Sequence, residues 1–151
     1  MSKLHDDPTR TTALGMARYG YEFLGAAFAV DNSVGNKNGH EVITPIPVLY
    51  LVGHGIELSL KAYMLQHKLT LGELKGLGHN LSSCFDRAKK LGLLEIVSFD
   101  ELYSTKQLEY IVTGAKQFPM FGPLQLFGVK LFNAVANSVS YRERFYGFIE
   151  A

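Results

Sequence analysis

The chain has 151 residues with 47% hydrophobic and 19% charged side chains, which suits one packed domain of residues 1–151 and excludes the polar, charge-rich composition of disorder. Fifteen basic residues against 14 acidic ones leave a net charge of +1, so no global field draws the chain onto DNA or an anionic membrane, and any polyanion binding must be local. The single cysteine, Cys84, excludes an intrachain disulfide and a cysteine-rich zinc site and fits a reducing compartment.

Residues 1–10 are polar and include Asp6, Asp7 and Pro8, which is no secretory signal. The longest apolar runs, Phe23 to Val30 and Ile46 to Val52, fall short of the roughly 18 residues of a membrane span. A cytoplasmic, soluble protein is expected.

Asp7 and Pro8 form a cap and first turn, and Leu14, Ala17, Tyr21, Leu24 and Phe28 follow at helical spacing, predicting a first helix from Pro8 to about Val34. Gly35 to His40 is a turn-rich break. Thr44 and Pro45 then open a second helix to Lys68, apolar on nearly every side and therefore central. Gly53 and Gly55 each cost this helix about 1 kcal/mol relative to alanine, which predicts close approach of another backbone, from the same chain or a second copy.

A glycine-rich connection through Gly72, Gly76 and Gly78 leads to Asn80, the cap of a short helix with the face Leu81, Cys84, Phe85, Ala88 and Leu91 and the stop Gly92. Cys84 reads as a small buried apolar residue of that face. Ser98 and Glu101 form a capping box for a further turn or two. Lys106 to Gly122 reads as one long ordered loop, and a last helix from Pro123, with Leu124, Phe127, Leu131, Val135 and Val139 in register, is expected to run close to the C-terminus. The predicted class is all-α, a four-helix up-and-down bundle with short extra helical turns.

The five histidines, 5, 40, 54, 67 and 79, make no zinc-peptidase or di-iron pattern, and neither a phosphate loop nor a nucleophile elbow occurs, so no metal, cofactor or familiar hydrolase centre is expected. His54, Glu57 and Lys61 fall within a roughly 60° arc of the second helix. With Lys68 continuing the stripe, the ordinary reading is a solvated face; the sharper one is a partly buried polar cluster that orders the bundle or meets a ligand. His79 either holds the connection by a hydrogen bond to Glu57, the favoured reading, or faces a ligand at a helix start. Arg142 and Arg144, interleaved with Tyr141, Phe145 and Tyr146, can stack on bases or grip phosphate, although a packed helix end is favoured. Lys106, Tyr110 and Lys116 offer a weaker version of the same in the long loop.

The run Gly53-His54-Gly55-Ile56-Glu57-Leu58-Ser59-Leu60-Lys61-Ala62-Tyr63-Met64-Leu65, then Gly78-His79-Asn80-Leu81 and Ala88 to Leu93, resembles the HEPN family (higher eukaryotes and prokaryotes nucleotide-binding) over about residues 45–93. The resemblance implies a four-helix bundle, commonly a homodimer, set beside nucleotidyltransferase-type partners or stress and defence systems such as toxin–antitoxin pairs. Its catalytic members cut RNA without metal through an Arg-x4-6-His motif. Here none of Arg10, Arg18, Arg87, Arg142 and Arg144 precedes a histidine at that spacing, and no histidine follows His79. The expectation is a non-catalytic HEPN-like module binding a nucleotide, RNA or a protein partner and lacking RNase activity. The alternatives are an RNA nuclease using His54, Glu57 and His79, or a purely structural dimer.

Overall fold

The computed structural model describes residues 11–35, 46–93 and 121–145. Every regular element among them is a helix: α1 (Ala13–Val30), prolonged by a π-helical turn (Asp31–Gly35), α2 (Ile46–Gln66), α3 (Leu71–Leu77), α4 (Leu81–Lys90) and α5 (Phe121–Val139). The protein is all-α. Among the described residues no helix is long and apolar enough to cross a membrane.

Helix α1 starts later than Pro8. Thr11 and Thr12 are not helical, and the Thr12 hydroxyl accepts the Gly15 amide at 3.0 Å, so Thr12 is the cap. Asp7 and Pro8 lie outside the described residues. Ala17, Gly20, Leu24, Ala27 and Phe28 form the buried stripe of α1, whereas Leu14, in register by sequence, is half exposed.

Helix α2 is central, packing against α1, α3, α4 and α5 with buried residues almost continuous from Val48 to Met64. Ile46 and Tyr50, in its first turns, remain exposed. Its tightest contact explains Gly55. A Cβ there would stand 2.7 Å from Leu24 Cγ and 3.2 Å from the Gly20 carbonyl, and one on Gly20 would stand 3.2 Å from the Gly55 carbonyl. The close approach is therefore between α1 and α2 of one chain, so Gly55 does not require a second copy. Gly53 is buried as well.

The end of α2 corrects the charge stripe. The helix stops at Gln66, and Lys68 takes a left-handed φ of 72° while its amide bonds back to the Leu65 carbonyl, closing the helix rather than continuing its face. The connection after it is also more ordered than its glycines suggest. Thr70 and Glu73 form a reciprocal capping box that starts α3, with Glu73 N donating to Thr70 Oγ1 at 3.1 Å and Thr70 N to Glu73 Oε1 at 3.2 Å. Leu74 pins that short helix into the core.

Helix α4 follows its sequence: Asn80 caps it by accepting from Ser83 N at 3.0 Å, Leu81, Cys84, Phe85 and Ala88 face inward, and Gly92 closes it at φ 107°. The Tyr63 hydroxyl of α2 donates to the Leu91 carbonyl at 3.2 Å, tying the two helices together.

Helix α5 begins two residues before Pro123 and ends at Val139, short of the C-terminus. Ser140 adopts φ 61° and Tyr141 N reaches back to the Ala136 carbonyl at 2.9 Å, a left-handed stop that reverses the chain. The reversal seats Phe145 against Tyr21, Phe28 and Phe132, with ring centroids 4.6, 5.1 and 5.4 Å away. The side chain of Asn133 fixes it by donating to the Phe145 carbonyl and accepting from its amide, both at 3.0 Å. The Ser98–Glu101 box and the loop residues before Phe121, Tyr110 included, lie outside the described residues.

Candidate functional site

Three of the residues singled out by sequence form one hydrogen-bonded group. Glu57 and Lys61 are one helical turn apart on α2, and Lys61 Nζ lies 3.1 Å from Glu57 Oε2. Their side chains are only 8% and 12% exposed, so the solvated-face reading fails for this pair. It holds for His54, which is exposed and stands edge-on to the Phe23 ring at 4.5 Å between centroids.

His79 reaches the pair from the junction of α3 and α4. Gly78, at φ 61°, turns the chain out of α3, and Asn80 starts α4, so His79 is held between two fixed helix ends. Its Nδ1 lies 3.0 Å from both oxygens of Glu57. A carboxylate only accepts, so Nδ1 carries the proton and donates it. The rest of the ring is open: the side chain is 83% exposed. Glu57 is thus a buried carboxylate neutralised by an ammonium from its own helix and gripped by an imidazole from the next connection.

Cys84 of α4 lies beside this group. Burial pushes its thiol up to about 11, Lys61 pulling it down and Glu57 pushing it further up. The cysteine is a buried, unreactive neighbour of the cluster.

The three residues open into a cleft of about 550 Å³ between the start of α1, the middle of α2 and α3, a size within the usual range of small-molecule sites. His54 lines it too. The polar wall also includes residues that the sequence did not single out: Thr11 and Thr12 just before α1, Arg18 and Tyr19 of α1, and Lys75 of α3. Arg18 and Tyr19 stand side by side on the polar face of α1, the one signal that was readable there. Nothing in the sequence joins that face to α3.

Arg18, Lys61 and Lys75 set three positive charges against Glu57, with two imidazoles besides. Arg18 pairs with Glu22 on its own helix at 3.3 Å, in the open. Tyr19 is more than half exposed. Among the described residues no group of three or more histidine, cysteine or acidic side chains could hold a metal ion.

Arg142 and Arg144 do not line this cleft. Arg144 is spent on the end of α5, donating through Nε and Nη2 to Asn137 Oδ1 at 3.2 and 2.8 Å and through Nη1 to the carbonyls of Tyr141 and Glu143. Arg142 is exposed beside Glu143. No protein-family model, no curated protein and no solved structure matches the chain.

Proposed function

We propose that the protein is a non-catalytic, HEPN-like helical module that binds a nucleotide unit, free or within an RNA strand, in the cleft between α1, α2 and α3. One observation carries the reading: Arg18, Lys61 and Lys75 converge with His54 and His79 on a cavity large enough for a nucleotide, in a chain whose net charge is only +1. The cations suit phosphate, and Tyr19 on the same wall offers a ring face to a base. The missing Arg-x4-6-His motif supports binding over cleavage.

Titration calorimetry with adenosine diphosphate and with a five-nucleotide oligoadenylate tests this. Micromolar binding that weakens at least tenfold in Lys75→Ala or Arg18→Ala is expected, since both side chains are exposed and their loss spares the core. The tighter ligand identifies the source of the nucleotide. Absence of binding by either below 1 mM would refute the reading. A nuclease using His54, Glu57 and His79 is the competing reading, favoured by one feature: a carboxylate-held imidazole with its other nitrogen open is the arrangement of a general base. RNA turnover by pure protein, lost in His79→Ala, would replace the first reading with this one.

A further inference from the structure

Resting on the nucleotide-binding reading, we infer that His79 is a proton-coupled phosphate ligand: with its Nδ1 proton held by Glu57, it grips the anion through Nε2 only as an imidazolium. The inference follows from counting protons on one ring. A neutral imidazole has one N–H and one lone pair, and an oxyanion accepts only from an N–H. Glu57 is itself an acceptor 3.0 Å from Nδ1, so the neutral ring keeps its proton there and turns a lone pair outward from Nε2. Moving that proton to Nε2 would set the Nδ1 lone pair against both carboxylate oxygens. A phosphate meeting the neutral ring therefore finds repulsion, and its binding must take up a proton.

The surroundings favour this division of labour. Glu57 is mostly buried, and its oxygens are taken up as acceptors by Lys61 Nζ at 3.1 Å and His79 Nδ1 at 3.0 Å. Among the described residues, the other titratable or charged groups that line the cleft with His79 and Glu57 are Lys61 and His54 of α2, Lys75 of α3, and Arg18 and Tyr19 of α1, with the Cys84 thiol of α4 beside the Glu57–Lys61 pair. The Cys84 thiol, pushed up to about 11 by burial, stays neutral where imidazoles ordinarily change charge. His54 makes no hydrogen bond or ion pair with a carboxylate among the described residues and instead stands edge-on to the Phe23 ring, so its tautomer is not fixed in this way.

Two measurements test the inference. Nitrogen-15 NMR of the neutral protein is expected to show the His79 proton on Nδ1; a proton on Nε2 would overturn the inference whatever the ligand. Affinity for adenosine diphosphate is then followed from pH 6 to 8.5 in the native chain, His79→Asn and His54→Asn. The ligand's own titration is common to all three. Over the upper part of the range the native chain and His54→Asn are expected to lose affinity by up to about tenfold per pH unit beyond the loss in His79→Asn, as one linked proton requires. Identical profiles in the native chain and His79→Asn would overturn the inference while leaving nucleotide binding intact. If adenosine diphosphate fails to bind at any pH, the nucleotide reading is lost, and sulfate, which does not titrate in this range, takes its place as probe. Sulfate binding with the same His79-dependent loss supports the inference, and pH-independent or absent sulfate binding overturns it.

Discussion

Glu57→Gln keeps the shape of the side chain at the centre of the cleft and removes its charge, leaving Lys61 with no counter-ion among the described residues. At the observed 3.1 Å the gross attraction between the two charges is about 5 kcal/mol at an effective dielectric of about 20 and little more than about 1 kcal/mol in bulk water. With the side chains 8% and 12% exposed the pair belongs near the buried limit, where orphaning one partner costs about 3 to 5 kcal/mol. Lys61 lines a cleft that water enters, which places the expectation at the lower end, about 3 kcal/mol. With a urea dependence of about 2 kcal/mol per molar, the unfolding midpoint should fall by about 1.5 M. The companion is Glu57→Gln/Lys61→Met. Removing both charges leaves no orphan, so the double variant should be more stable than Glu57→Gln alone. A midpoint shift below about 0.5 M, or losses that simply add, would refute the reasoning and make the pair a surface interaction. His79→Ala, with most of its ring in solvent, should cost under about 1 kcal/mol.

The α1–α2 contact gives a prediction with opposite signs at two glycines. Gly55→Ala should lower the unfolding midpoint by the equivalent of about 1 to 3 kcal/mol through its clash with Leu24 and the Gly20 carbonyl. Gly25→Ala, mid-helix with nothing within 4 Å of the added methyl among the described residues, should gain up to about 1 kcal/mol; denaturation of both variants checks the pair. The buried Cys84 thiol should resist a thiol reagent at pH 8 until the chain unfolds, which a colorimetric thiol assay reads directly. Because its ionisation is raised to about 11 in the fold, the unfolded chain binds fewer protons above its own lower pKa, so this group's contribution to stability falls as pH rises from about 9 to about 11, by at most about 1.4 kcal/mol per unit. Urea unfolding across that range, compared with Cys84→Ala, isolates the slope. Asn133→Ala removes both bonds to the Phe145 backbone and should cost about 1 to 3 kcal/mol, with earlier proteolysis after residue 140 as the local readout.

The sequence by itself determined what depends on neighbours along the chain. The inward face of α4 and its Asn80 cap, the centrality of α2 and the turn-to-turn pairing of Glu57 with Lys61 all follow from a period of 3.6 residues and from caps that act over three or four positions. The Thr70–Glu73 capping box was equally legible and was masked by the glycines around it. Helix ends made by side chains were harder to place: Thr12 displaces Pro8 as the start of α1, and Lys68 and Ser140 stop their helices in left-handed conformations for which neither residue type is a signal. What only the tertiary structure decided is burial and company. Whether a charged stripe faces water or core depends on what packs beside it, and the His79 connection and the facing wall of α1 took Glu57 and Lys61 out of solvent while leaving His54 in it. The Gly20–Gly55 contact and the gathering of Tyr19, Lys61, Lys75 and His79 around one cleft join residues from distant parts of the sequence, and only the packing of α1 and α3 on α2 brings them within reach.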